Sequence, residues 1–269
     1  MSYLYLVDYS SKLGFSENCL VVKKGTEIYE RVPIETLEEV SVYGNCQITT
    51  QCIHECIKKS IPIIYYSAGG KYLGRVQPEG HIGVKRQRKQ ALFNMSSISF
   101  EIAQSIISAK IHNQIVVLRR YASSRDEDLT EICKHMKILK NKIAVTSSIE
   151  EIMGYEGNAE RSYFEGLSRL VESEFHFDGR NRRPPKDPFN AMLSFGYSML
   201  LSELYGKIIS KGLNPYFGFI HQDRENHPTL ASDLMEEWRP VIVDSAVMSM
   251  INGHEISADQ FQTGDDGGI

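Results

Sequence analysis

The chain has 269 residues, of which 42% are hydrophobic and 24% charged, with a formal net charge of −4. That length holds one large or two ordinary domains around a substantial core, and the composition lies in the range of a soluble globular protein. No apolar run reaches the length of a membrane span and the opening Met-Ser-Tyr-Leu-Tyr is no secretory leader, so a cytoplasmic chain without membrane contact is expected. Cys19, Cys46, Cys52, Cys56 and Cys133 make an odd number, which favours reduced thiols over a disulfide framework. Cys52-Ile-His54-Glu-Cys56 lacks zinc-finger spacing and reads as helix, so zinc is not expected.

Residues 1–77 read as a β domain. Strands are expected at 3–7, 20–22, 27–32, 40–42 and 61–66, with turns at Lys24-Gly25 and Gly44-Asn45. Pro62 falls near the start of its strand, and Gly69-Gly70 forms a hairpin turn into 72–73. A short helix spans 48–58, and the whole suggests a compact β-sandwich-like unit. Pro78, Gly80 and Gly83 mark a linker at 78–83.

Beyond it, over 84–269, the hydrophobic period changes from about 2 to about 3.6, the signature of helices. Helices are expected at 100–120 and 126–139. Ser148 and Glu151 offer a capping box for a third, on which Glu156, Glu160 and Tyr163 share a face. Gly157 and Ala159 keep that helix thin enough for close approach by another element. A polar, proline-rich loop at 179–188 ends on Asp187, which caps the next helix with Pro188 at its first position. That helix, 189–211, is apolar almost all round and so should be central, with Asn190 a buried, hydrogen-bonded amide. The fold class is therefore α+β: an N-terminal β-sandwich-like domain and a C-terminal all-helical domain.

Candidate chemistry gathers late in the chain. The apolar run 217–220, broken by Gly218, delivers His221; Asp223 and His227 follow in a polar loop and read as solvent-facing. Over 230–238 a helix puts Leu230, Ala231, Leu234, Met235 and Trp238 on one arc and Asp233, Glu236 and Glu237 on the other. Carboxylates three and four residues apart repel unless something cationic lies between them: a divalent metal, a basic side chain, or water. Histidine with carboxylates suits Mn²⁺ or Mg²⁺ better than zinc. A solvated acidic face and a structural histidine are the plainer alternatives. On periodicity alone, either Glu156 or Glu160 could be a ligand.

Basic residues cluster at Lys85, Arg86, Arg88 and Lys89, at Arg119, Arg120 and Arg125, and at Arg180, Arg182, Arg183 and Lys186. Three such groups on a net acidic chain predict a phosphate-binding surface, with Lys85, Arg86, Arg180, Arg182, Arg183 and Lys186 as DNA-binding candidates.

Four stretches, in order, carry a specific likeness: Gly154-Tyr-Glu156-Gly-Asn-Ala159, Asp187-Pro-Phe-Asn190 through Tyr197, Gly218-Phe-Ile-His221, and Asp233-Leu-Met-Glu236-Glu-Trp-Arg-Pro240. Together they resemble the integrase of CRISPR spacer acquisition, the Cas one family, over nearly the whole chain. The resemblance implies a metal-dependent DNA endonuclease and integrase: the 3′-hydroxyl of a captured double-stranded fragment attacks a phosphodiester at the edge of a CRISPR repeat. It selects Glu156, His221 and Glu236 as ligands of Mn²⁺ or Mg²⁺, with Asp233 a supporting carboxylate able to replace Glu236. It also implies a homodimer, paired through the exposed β surface and bridged by a small partner subunit. In the family, further helical sequence usually follows a segment like Gly264-Asp-Asp-Gly-Gly-Ile269. A metal-dependent nuclease that does not integrate, and a non-catalytic DNA-binding scaffold, are the alternative functions.

Overall fold

The computed structural model describes residues 2–68, 70, 72–78, 83–94, 96–182, 184–221, 224–264 and 267–269. The chain divides into two compact units, 1–82 and 83–269. Most of the expected linker at 78–83, and Gly69 of the expected hairpin turn, lie outside the described residues.

The first unit runs β1 (Ser2–Leu6), β2 (Ser11–Ser16), β3 (Cys19–Lys24), β4 (Glu27–Pro33), β5 (Leu37–Tyr43), β6 (Gln47–Ile48), α1 (Thr50–Lys58), β7 (Ile63–Tyr66) and β8 (Tyr72–Val76). One sheet has the order β1-β5-β7-β8, the other β4-β3-β2-β6. Leu4 and Leu6 of β1, Leu13 of β2, Leu20 and Val22 of β3, and Val40 and Val42 of β5 share one core with Cys52 and Cys56 of α1. Period-2 alternation explains the first sheet's edge: in β1, Leu4 and Leu6 are buried while Tyr3 and Tyr5 are exposed. The sequence reading misses β2. Its hairpin to β3 turns through Glu17 and Asn18, both at positive φ (53° and 59°), and glutamate there carries no turn signature. It also shortens β5, whose Glu39 and Ser41 are buried and hydrogen-bonded to each other. Gly25 makes the predicted turn with φ at 59°.

The second unit is helical: α2 (Val84–Asn94), α3 (Ser97–Arg125), α4 (Thr130–Ile143), α5 (Ile149–Ser168), α6 (Pro188–Ser210), α7 (Thr229–Arg239), a π-helical segment (Pro240–Asp244) and α8 (Ser245–Asn252). The central helix is α3, which packs against α2, α4, α5, α7 and the π-helical segment. That corrects the expectation for α6, most of whose side chains are only half-buried. An all-round apolar helix need not be the one with most neighbours. The strongly basic α2, read only as a charge cluster, is a further correction.

Caps follow the sequence closely. Asp187 accepts from the Asn190 amide at 2.8 Å with Pro188 at the first helical position. Ser148 accepts from the Glu151 amide, but the Glu151 carboxylate reaches past it to the Ser147 amide at 2.7 Å, so the expected box closes one residue early. Gly157 faces open space, whereas a Cβ at Gly166 would lie 2.9 Å from Leu118, so the close approach of α5 to α3 is at Gly166. Pro240 does not end the α7 helix. The chain continues through the wider π turn, in which the Ser245 amide donates to the Pro240 carbonyl five residues back.

Candidate active site

His221 sits in irregular backbone, held by a carboxylate on α7. Asp233 is 0% exposed, and its Oδ2 accepts from the amides of Phe219 (2.5 Å) and Ile220 (2.9 Å). Its Oδ1 accepts from the His221 amide at 3.2 Å and pairs with His221 Nδ1 at 2.5 Å. A carboxylate offers about four acceptor positions, so these four contacts leave Asp233 none to spare. The loop comes this close because residue 218 is glycine: a Cβ there would lie 2.7 Å from both Asp233 Oδ2 and Thr229 Cβ. The bond to Asp233 raises the His221 pKa above its ordinary value and leaves Nε2 as the ring nitrogen free to face a ligand. His227, expected in solvent, is half-buried, bonded to Ser232 at 3.1 Å with its ring 6.3 Å from that of His221. Asp223 lies outside the described residues.

The acids of α5 and α7 converge on a cation that the sequence reading did not single out. Lys110 of α3 is 1% exposed, and its Nζ binds Glu156 Oε1, Glu236 Oε2 at 2.7 Å and Glu160 Oε2 at 3.0 Å. Arg239 donates to Glu236 at 2.6 Å, and Arg182 to Glu160 at 2.8 Å. Glu156 and Glu236 are each 8% exposed, so this is no solvated face. Burial pushes the Glu156 carboxyl up to about 7 against the pull of Lys110, with Glu160 beside it raising it further. Burial also acts to raise Glu160 and Glu236, but Lys110 and Arg239 outweigh it and both lie below the usual carboxylate range. Glu156 thus holds a proton more tightly than its neighbours do, chiefly because it is buried. His221 lies within electrostatic reach of Glu236.

The arc reading of α7 needs correcting. Asp233 and Glu236 are buried together with Leu230, Ala231 and Met235, while Trp238, placed on the apolar arc, is 45% exposed. The apolar side meets Ile208 of α6, while on the acidic side Glu236 meets Lys110 of α3 and Asp233 meets the backbone of 219–221. Glu237 is half-buried, its carbonyl accepting from Asn113 at 2.8 Å, and it is Glu236 rather than Glu237 that pairs with Arg239.

Behind the acids lies a second buried group. Asp244, 1% exposed, accepts from Tyr163 (2.7 Å) and Tyr197 (2.6 Å), and burial raises its carboxyl to about 6. The Tyr197 ring lies 4.9 Å from the Arg239 guanidinium and 5.4 Å from that of Arg180. Arg180 is therefore not the surface phosphate group expected of it. It points inward and donates to Asn190 Oδ1 (2.7 Å) and Ser194 (3.0 Å). Asn190, 0% exposed, is the satisfied buried amide expected, also bonded to Asn181, Gly179 and Asp187. Arg182 and Lys186 are exposed, and Arg183 lies outside the described residues. Lys85, Arg86, Arg88 and Lys89 are all exposed on α2, with Arg86 also donating to the Lys211 carbonyl.

Lys110, Arg239, Tyr163, Tyr197 and Asp244 were missed as parts of this constellation. Lys110 did leave a trace: it falls on the same stripe of α3 as Ile106, Ile107 and Ile111, where an unpaired lysine would be out of place.

A family model described as CRISPR associated protein Cas1 matches residues 4–269. The CRISPR-associated endonuclease Cas1 of Mycobacterium tuberculosis (strain CDC 1551 / Oshkosh) is 35% identical over 269 residues, covering 100% of this chain and 79% of that protein. Among solved structures, a casposase bound to integration product is similar over 100% of this chain and 77% of its own (TM-score 0.83, 25% identity). A Cas6-RT-Cas1–Cas2 complex is similar over 98% of this chain and 29% of the matched one (TM-score 0.81, 30% identity). With the α+β architecture and the His221–acid cluster in place, these likenesses show that the chain belongs to the CRISPR-associated Cas1 family.

Proposed function

We propose that this chain is a metal-dependent DNA endonuclease and integrase of CRISPR adaptation. It joins the 3′-hydroxyl of a captured DNA fragment to a phosphodiester of a CRISPR repeat by transesterification. The observation that carries the reading is the convergence of Glu156 and Glu236, from two helices, on one buried cation, with Glu236 one turn along α7 from the Asp233 that orients the His221 imidazole. The donor set fits Mn²⁺ or Mg²⁺: hard carboxylate oxygens from Glu156 and Glu236 and one imidazole from His221. Among the described residues no group of three or more His, Cys, Asp or Glu side chains is arranged to hold a metal ion, and the point where Glu156, Glu160 and Glu236 meet is taken by the Lys110 ammonium.

Glu156, His221 and Glu236 would hold the ion. When bound, it would lower the pKa of an attacking hydroxyl or water and offset charge on the phosphorane. Asp233 acts through His221, holding its ring and tautomer, since its four acceptor positions are already taken. Arg239, bonded to Glu236, supplies fixed positive charge toward a phosphoryl group. Arg182, exposed and anchored on Glu160, together with Lys186, receives the DNA backbone beside the acids, and the basic face of α2 extends that surface. The chain works as a cytoplasmic homodimer, paired through its β unit and joined by a small partner; the similar chain in the Cas1–Cas2 complex supports that partner. No helix among the described residues is long and apolar enough to cross a membrane.

The test offers purified protein both water and a DNA 3′ end as nucleophiles on a repeat-bearing duplex, with Mn²⁺ or Mg²⁺. Strand transfer lost in Glu156→Ala and His221→Ala, with circular dichroism unchanged, is the expected result. Undiminished transfer by a folded Glu156→Ala protein rejects the mechanism. Hydrolysis without joining would support a nuclease that does not integrate.

A further inference from the structure

The geometry points to Lys110 as a resident counter-cation of the acid cluster, one that a divalent ion must displace from Glu156 and Glu236 and that then stays on Glu160. The inference rests on the metal reading above and deepens it. An ammonium has three N–H donors and no acceptor. Three carboxylates take them: Glu156, Glu236 at 2.7 Å and Glu160 at 3.0 Å. The side chain is 1% exposed, so water does not substitute for any of the three. Nor can Lys110 swing out to solvent, because α3 buries it in the same stripe as Ile107 and Ile111.

Without Lys110, Arg239 and Arg182 would still hold Glu236 and Glu160, but Glu156 would face both in a space from which water is largely excluded, and like charges there drive one another apart or take up protons. Lys110 therefore keeps the carboxylates converged when no ion is bound. Glu236 also accepts from the buried Arg239 at 2.6 Å, whereas Glu160 accepts from the exposed Arg182 at 2.8 Å. It can keep the ammonium while Glu156 and Glu236 turn to an ion. The ion then sits beside a charge of its own sign, which makes the site bind metal more weakly than its donors alone would.

The test is Lys110→Met, which keeps length and removes charge, in the full chain. Mn²⁺ is titrated in and free Mn²⁺ read by electron paramagnetic resonance. The folded variant is expected to bind Mn²⁺ ~tenfold or more tighter than the parent, since a neighbouring like charge has gone. It should also melt lower without metal, with the gap closing at saturating Mn²⁺. Equal or weaker Mn²⁺ binding by the folded variant overturns the inference and makes Lys110 an organiser of the ligands. If the parent binds no Mn²⁺ and Glu156→Gln changes nothing, the metal reading itself fails and takes this inference with it. Should Lys110→Met not fold, the side-chain ammonium resonance of Lys110 in the ¹⁵N-labelled parent decides. A shift that saturates with Mg²⁺ supports displacement, and a signal unmoved by Mg²⁺ that the protein demonstrably binds refutes it.

Discussion

Replacing Asp233 by Asn removes a charge but almost no volume, and so isolates what the four contacts of that carboxylate do. Asparagine presents one acceptor oxygen and one NH₂ group. Whichever way the amide is turned, the NH₂ faces either the amides of Phe219 and Ile220 or the amide and ring of His221. Turned to Phe219 and Ile220 it forfeits both bonds; turned to His221 it forfeits the one from the amide, while the ring can accept at Nδ1 in its other tautomer, so at about 1.5–3 kcal/mol for each bond to a charged acceptor the destabilisation is about 1.5–6 kcal/mol. That is a large share of the roughly 5–15 kcal/mol that holds a typical domain together. The 217–221 backbone loosens, and with it the imidazole. Losing the partner of a ligating histidine typically weakens metal affinity about 10–100-fold. Urea unfolding followed by circular dichroism measures the first quantity and a Mn²⁺ titration the second. A loss below about 1 kcal/mol, within the ordinary range of single substitutions, together with unchanged Mn²⁺ affinity, would refute the assignment of Asp233 as the residue that positions His221.

On the same helix, Glu236→Ala is expected to abolish strand transfer while Glu237→Ala retains it, because only Glu236 faces Lys110 and Arg239; equal effects would mean the facing of α7 is wrong. Arg180→Ala should cost about 2–4 kcal/mol in urea unfolding by stripping Asn190 and Ser194 of a buried donor. Joint replacement of Arg182 and Lys186 by Ala should instead leave stability nearly unchanged and flatten the slope of log affinity for duplex against log salt, by roughly 0.9 for each phosphate no longer neutralised. Asp244 gives a pH signature: its folded carboxyl titrates at about 6 against an ordinary 3.8, so the folded state holds the proton more tightly. Its contribution is then full below about pH 4 and is lost as pH rises through about 6. Asp244→Asn should remove that decline, and the difference in urea midpoint between variant and parent, compared at pH 4 and pH 7, reads it directly; a difference that does not change with pH rejects it.

Local order was legible before any coordinates. The change of hydrophobic period, the Asp187 cap with Pro188 behind it, and the turn at Gly25 depend on residues a few positions apart, and short-range sterics and hydrogen bonds decide them. The acidic spacing on α7 and the likeness carried by Glu156, His221 and Glu236 marked the candidate site for the same reason: each motif is a short run of sequence. What the tertiary structure alone decided was the partner of each charge. Lys110 meets Glu156 across 46 residues of chain, so nothing near either residue reveals the pair. Arg180 looks like its neighbour Arg182, yet one guanidinium turns in to Asn190 and Tyr197 while the other stays at the surface on Glu160. Asp233 and Glu236, three residues apart on one helix, part in the same way. A glycine at 218 lets a loop occupy all of Asp233's acceptors, and the packing of α3 and α5 leaves Glu236 facing a buried cation. Periodicity sets the direction of a side chain, but the charge, donor or solvent it meets there depends on which distant segment packs against it.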